Sequence, residues 1–209
     1  FNDDIFKVIK GGELITESGE TVFIDKWHCG IFFPPCTYIA VSGLHWNDNV
    51  SGRSYNTEKA LQFVCDLLNI SIKNNINHIA IENPVGCIST RIFKYYDEFS
   101  KEYSYRVFPN KLTNGGLYPT QTIQPYYFGD EARKKTCLWL INLPLLFHNQ
   151  ATTLFENSTH VKEGKIVNGY PAWMFNNDKK HRSKTFPGIA RAMAEQWGEY
   201  AVKRISADN

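Results

Sequence analysis

Two short polar motifs interrupt apolar runs in this sequence, and each carries a side chain able to do chemistry. Cys36 follows Pro34 and Pro35 at the end of the run Cys29 to Phe33, so a stiff backbone would present a thiol at a fixed angle. Its reactive form is the thiolate, which exposure and nearby positive charge favour. Glu82 closes the run that starts at His78 and is followed by Asn83 and Pro84. An acid at the head of an apolar run is costly unless it has a partner or a task. Each residue alone admits a plain explanation, Cys36 as a small buried hydrophobe and Glu82 as a carboxylate tied to turn amides. Together, a cysteine nucleophile and a carboxylic acid are what methylation of a pyrimidine carbon requires. C5 of cytosine is a poor nucleophile. Thiolate attack at C6 pushes electron density onto C5, an acid bonded to N3 stabilises the charge, and C5 can then take a methyl group from a sulfonium donor.

The scaffold that would position these groups shows in the apolar periodicity. Cys29 to Phe33 reads as a central parallel strand, buried on both faces and stopped by two residues that cannot extend a ladder. After a polar loop from Ser42 to Asn56, Thr57 can cap a helix whose Leu61, Val64, Leu67 and Leu68 recur at helical spacing and which ends near Lys73 to Asn75. His78 to Glu82 is a second strand. The strand, helix, strand order predicts a right-handed crossover with parallel strands, which places both motifs at the carboxyl edge where open α/β sheets bind ligands. Upstream, Ile5 to Ile9 is a short apolar stretch, and Glu13 to Asp25 alternates around Ser18-Gly19 as a hairpin does. Arg91 to Phe128 has no clear period and reads as a long ordered excursion. Cys137 to Leu146 resumes buried structure, a strand into a turn, and Phe147 to Lys184 is polar and irregular. At the end Thr185 can cap, Pro187 suits a first turn, and Ile189, Met193, Trp197 and Ala201 line one helical face.

With 209 residues, 43% hydrophobic and 14% aromatic, the chain can bury one substantial core. One α/β domain over residues 1–209 is expected, with irregular excursions at about 93–128 and 147–184. A charged fraction of 21% and a net charge of +2 exclude the composition of disordered chains and give no global electrostatic case for nucleic acid, so an anionic partner must be met locally. The five cysteines form no CxxC pair and read as free thiols in a reducing cytoplasm. The longest apolar stretch, Cys137 to Phe147, is broken by Asn142 and Pro144 and falls short of the roughly 20 residues of a membrane span, and no secretory leader is visible. His28 and Cys29 stand too far from Cys36 in sequence to make a recognisable zinc site, so no metal is expected. The basic tracts Arg133 to Lys135 and Lys179 to Lys184 could neutralise a few phosphates, with Tyr126, Tyr127 and Trp173 as stacking surfaces, although solvated loops are the plainer reading.

The strings "FFPPCTY" and "IENPVG" resemble the Pro-Cys and Glu-Asn motifs of DNA cytosine-5 methyltransferases, in the same order and with a helix between them. More closely, "PPCTYIAVSGLHW", "IENPVGCIST", "QPYYFGDEARKKTCLWL" and "RSKTFPGIARAMAEQW" resemble a family of small phage and prophage proteins similar to DNA cytosine-5 methyltransferases, over most of the chain. That resemblance implies a Rossmann-like, S-adenosylmethionine-dependent methyltransferase fold with a mostly parallel sheet, acting on DNA in the cytoplasm. It implies Cys36 as the nucleophile at C6 and Glu82 as the acid at N3 of a flipped-out base. By position, Pro34 would lie against S-adenosylmethionine and Asp4 would meet its adenine amino group, with Asn83 and Arg91 on the substrate side.

Three departures from the family pattern stand out. The first strand and glycine-rich turn that cradle the donor are not found before Phe1, as though the chain were a truncated version. The region available for target recognition is small. Arg91 and Arg133 are candidates for the base-clamping arginine, yet neither sits in a good copy of its motif, and a surface ion pair explains each. An amino-methylating enzyme would carry Asp or Asn where this chain has Phe33, and no local signature supports a Cys-His hydrolase built on His28, His45 or His78. The rival from another class is a methyltransferase-like shell that binds nucleotide or nucleic acid without transferring anything.

Overall fold

A computed structural model of the chain describes residues 3–44, 46–47, 49–130, 134–148, 166–167, 170–171 and 185–208. A short helix α1 (Ile5–Lys10) stops at Gly11, whose φ of 73° suits glycine. The hairpin read from Glu13 to Asp25 follows as β1 (Gly12–Ile15) and β2 (Thr21–Ile24), antiparallel from Gly12↔Ile24 to Ile15↔Thr21.

The expected strand-helix-strand connection with parallel strands is built. β3 (Cys29–Phe32) pairs in parallel with β4 (His78–Pro84), from Cys29↔His78 to Phe32↔Ile81, and helices α2 (Val41–Leu44) and α3 (Arg53–Lys73) lie between them. Leu61, Val64, Cys65 and Leu68 form the buried stripe of α3, and Asn75, at φ 56°, turns the chain out of it. The cap differs from the expected one. Thr57 sits inside α3, which starts at Arg53 after left-handed Gly52, and its hydroxyl donates to the Tyr38 carbonyl at 2.9 Å.

Beyond β4, α4 (Ile88–Arg91) leads into a two-stranded ribbon, β5 (Ile92–Asp97) and β6 (Glu102–Val107). Then come β7 (Gln121–Ile123), a 3₁₀ turn (Pro125–Phe128) and β8 (Thr136–Ile141). The stretch read as an excursion without period therefore holds three strands. The main sheet has the order β3-β4-β8-β7.

The mostly parallel, Rossmann-like sheet implied by the resemblance is not what the chain builds. Among the described strands β3–β4 is the one parallel pairing; β8 runs antiparallel to both β4 and β7, and β1–β2, β5–β6 and β9 (Ile166–Val167) with β10 (Tyr170–Pro171) are antiparallel too. Parallel pairing needs a long crossover, usually a helix. The β3–β4 connection contains one, whereas β7 and β8 are joined through a 3₁₀ turn and the chain doubles back. Among the described strands β3 pairs with β4 alone, so it lies at an edge of the sheet rather than at its centre, and Cys29 to Ile31 are only half-buried.

The two faces of this sheet carry separate apolar clusters. On one side Ile79, Ile81 and Trp139 pack with Leu61, Val64 and Leu68 of α3. On the other, Ala80 and Leu138 pack with Ile189, Met193 and Trp197 of the C-terminal helix. That helix comprises α5 (Pro187–Ala192), a π-helical turn (Met193–Trp197) and α6 (Gly198–Asp208), and Phe186 rather than Thr185 is its N-cap. The expected stripe of Ile189, Met193, Trp197 and Ala201 is buried. A strict four-residue spacing drifts around a helix of 3.6 residues per turn, and the wider π turn cancels part of that drift. No helix among the described residues is long and apolar enough to cross a membrane. His45, Arg133, Trp173 and Lys179 to Lys184 lie outside the described residues.

Candidate active site

The parallel register ends at Phe32↔Ile81, so the Pro-Pro-Cys and Glu-Asn-Pro motifs leave neighbouring strands at the same carboxyl edge. Two groups of hydrogen bonds then fasten them together, and a third shapes the Cys36 turn between. Asn83, 1% exposed, donates from Nδ2 to the buried Pro34 carbonyl at 2.8 Å. The Cys36 carbonyl accepts from the Ile39 and Ala40 amides at 3.1 and 2.9 Å, which curls the Cys36 turn into a single wrap. The far end of that wrap is bridged to the other motif by Cys87 N–H to the Ile39 carbonyl and Val41 N–H to the Val85 carbonyl, both 2.9 Å, around an Ala40↔Gly86 bridge. A Cβ on Gly86 would stand 2.0 Å from the Ile39 carbonyl oxygen, so only glycine permits this approach.

Helix α3 holds the same turn from its other side. Arg53 donates from a terminal nitrogen to the Thr37 carbonyl at 3.1 Å and from Nε to the Gly43 carbonyl at 3.2 Å, while its guanidinium lies 5.0 Å from the centre of the Tyr38 ring. Arg53 is a positioning residue that the sequence reading missed. It stands in a polar loop-like stretch with no local mark to set it apart.

The thiols separate by environment. All five cysteines are free; Cys65, Cys87 and Cys137 are buried, and Cys29 and Cys36 are half-buried. Burial pushes the Cys65 thiol up to about 12 and the Cys87 thiol up to about 11, and it raises Cys29 and Cys137 in the same direction. None of these four is suited to supply a thiolate near neutral pH.

Glu82 pairs with Leu138 and lies on the same side of the sheet as Ala80, beneath the C-terminal helix. Burial pushes its carboxyl above the usual carboxylate range, and the Lys134 cation opposes that only in part. A larger share of neutral acid is therefore held at moderate pH than an exposed glutamate would keep. Asn83, one residue on, points to the opposite face. Its Oδ1 is buried with no hydrogen-bond partner among the described residues.

This raised carboxyl makes a checkable statement about stability. The folded value exceeds the unfolded one, so its stabilising contribution is complete below the unfolded value and is lost as pH climbs through the folded one. Glu82→Gln, which keeps the neutral shape, is expected to match wild type in urea unfolding near pH 4 and to exceed it near pH 8. Equal midpoints at both pH values would show that the carboxyl is not strained by burial.

Pro34, Cys36, Glu82 and Asn83 thus share one edge, whereas Asp4 and Arg91 are occupied by structural contacts. Asp4 caps α1, its Oδ1 accepting from the Phe6 amide at 2.8 Å, and the side chain is exposed. Arg91 donates from Nε to the Phe108 carbonyl at 2.8 Å and pairs through a terminal nitrogen with Glu58, which ties the root of the ribbon to α3. Among the described residues no three His, Cys, Asp or Glu side chains gather as metal ligands. The chain matches no family model, no curated protein and no solved structure.

Proposed function

We propose that this edge activates cytosine at C6 for methylation at C5, with Cys36 as the nucleophile, Glu82 as the acid and DNA as the substrate. The observation that carries the reading is the buried 2.8 Å bond from Asn83 Nδ2 to the Pro34 carbonyl, which locks the nucleophile's turn against the acid's strand. A half-buried thiol and a carboxyl held partly neutral are the two groups this chemistry needs. Cys36 Sγ bonds to C6 while the electrons of the C5–C6 double bond move onto C5 and towards N3, where the Glu82 proton neutralises them. C5 can then take a proton from water, and loss of its original hydrogen with expulsion of the thiolate restores the ring. S-adenosylmethionine, when bound, supplies an electrophilic methyl group in place of that proton. The resemblance also gives Asp4 to this donor, but the structure engages that carboxylate as the cap of α1.

The rival reading, nucleic-acid binding without transfer, draws support from Arg91, two of whose donors are already engaged by Phe108 and Glu58. Release of tritium from DNA containing 5-tritiated cytosine separates the two, because exchange at C5 needs only the thiol and the acid and no methyl donor. Release above the buffer rate is expected. DNA that binds and keeps its tritium would overturn the assignment. A second readout is 5-fluorocytosine DNA with S-adenosylmethionine, which should leave a covalent adduct mapping to the Cys36 peptide.

A further inference from the structure

We propose that the β5–β6 ribbon is a platform for single-stranded DNA, stacking unpaired bases on Tyr96 and Tyr103 of one face and meeting phosphates with Lys94 beside them. The choice of DNA rests on the cytosine reading above. The ribbon's inner end is anchored: Tyr105 is buried, and its N–H and carbonyl are both bonded by the Asn69 side chain, at 2.7 and 2.9 Å. The outer half is different. Tyr96 and Tyr103 stand opposite each other with ring centres 4.8 Å apart, 41% and 57% exposed, and Lys94 Nζ sits 4.3 Å from the Tyr103 ring centre. On the other face the Arg106 guanidinium lies 3.8 Å from the centre of the Tyr95 ring, and Phe93 joins Tyr95 to Phe108 through edge contacts at 6.5 and 5.9 Å.

Two features select the occupant. From Lys94 to Asp97 and from Glu102 to Ser104 no residue is aliphatic, so this half lacks the apolar centre that a protein-docking patch presents. It offers rings with a cation beside them instead, which is the combination that takes bases by their faces and the backbone by its charge. The acids gather at the turn, and Asp97 is engaged there, accepting from the Phe99 and Ser100 amides at 2.9 and 3.0 Å and lying 3.8 Å from Arg106. Stacking requires bases freed from a duplex. The ribbon also grows, through α4, directly from the Gly86-Cys87 bridge of the candidate site, so a strand held on it runs towards the edge that carries Cys36 and Glu82.

The test is fluorescence anisotropy of the full chain with a labelled 20-nucleotide single strand and with the matching duplex, without methyl donor and across a salt series. Single strand is expected to bind more tightly than duplex. Tyr96→Ala and Tyr103→Ala should each weaken it by about tenfold, and Lys94→Gln should reduce the salt slope by just under one. Tyr118→Ala, exposed outside the ribbon, should bind as wild type. Urea unfolding of each variant separates lost contact from lost fold, and Lys94→Gln keeps a readout should a ring variant unfold. Ring variants that bind like wild type, or equal affinity for duplex and single strand, would overturn the platform. So would self-association in sedimentation that the ring variants abolish, since the face would then belong to a second copy. Failed tritium release by the wild-type chain, with intact and ribbon-dependent binding, would sink the cytosine chemistry alone.

Discussion

A Cys36→Ala chain is expected to release no tritium from 5-tritiated cytosine above the uncatalysed rate, a loss on the order of 10⁴-fold or more. No other described thiol can stand in, because burial holds Cys29, Cys65, Cys87 and Cys137 in the protonated form. The fold should hardly notice. The Cys36 side chain is half-exposed, and the bonds that shape its turn run through its carbonyl, so unfolding free energy should change by less than about 1 kcal/mol. Tritium release retained in the variant would mean that the nucleophile lies elsewhere. Loss of release together with loss of fold, seen in parallel urea melts, would call for Cys36→Ser, whose hydroxyl keeps the size of the group without its reactivity.

Gly86→Ala is expected to damage both stability and chemistry. The new methyl would meet three backbone atoms: the Ile39 carbonyl oxygen at 2.0 Å, its carbon at 2.8 Å and the Ala40 Cα at 3.0 Å. Backbone cannot rotate aside as a side chain can, so the two motif turns must part, with loss of the Cys87 N–H to Ile39 bond and the Ala40↔Gly86 bridge. Overpacking with a lost hydrogen bond costs roughly 2–4 kcal/mol, which for a chain of this size lowers the melting temperature by on the order of 10 °C. Tritium release should fall by ~10²-fold or more at a temperature where the variant is still folded, since displacing a reacting group by an ångström is enough for that. Gly198→Ala is the matched control, because nothing lies within 4 Å of its added methyl and its backbone is helical. Equal unfolding midpoints for the two variants would show that the turns are not in contact.

The chain's local signals carried the parts of this structure that depend on near neighbours. Alternation marked the β1–β2 hairpin, apolar runs closed by proline marked β3 and β4, and the spacing of Leu61, Val64 and Leu68 marked α3. What failed depends on partners distant in sequence. Whether β8 joins β4 head to tail or side by side is decided by how the chain returns, and the run from Thr136 to Ile141 is equally apolar in either case. The ribbon escaped notice because its aromatic residues sit on both faces, so Ile92 to Val107 shows no alternation of apolar and polar positions. At the candidate site, the place of Cys36 and Glu82 at neighbouring strand ends was readable from the apolar runs and the prolines that close them, and the Asn83 to Pro34 bond was not. Nothing in the letters says that this amide turns inward to hold a proline carbonyl. Asp4 shows the converse: an acid chosen by its place in a motif also suits the start of a helix, and the structure uses it there.

Helix α3 reaches from the candidate site to the ribbon. Its first turn grips the Cys36 wrap through Arg53 and Thr57, Glu58 pairs with Arg91, and Asn69 grips the ribbon through Tyr105. A rod clamped at two stations cannot shift at one without straining the other. Tension applied by cargo on the ribbon would therefore be felt as reduced breathing of the wrap, visible as slower deuterium uptake by the Ile39 and Ala40 amides. The helix is in that sense an axle, and its far end is the place to look for second-site suppressors of defects near the thiol.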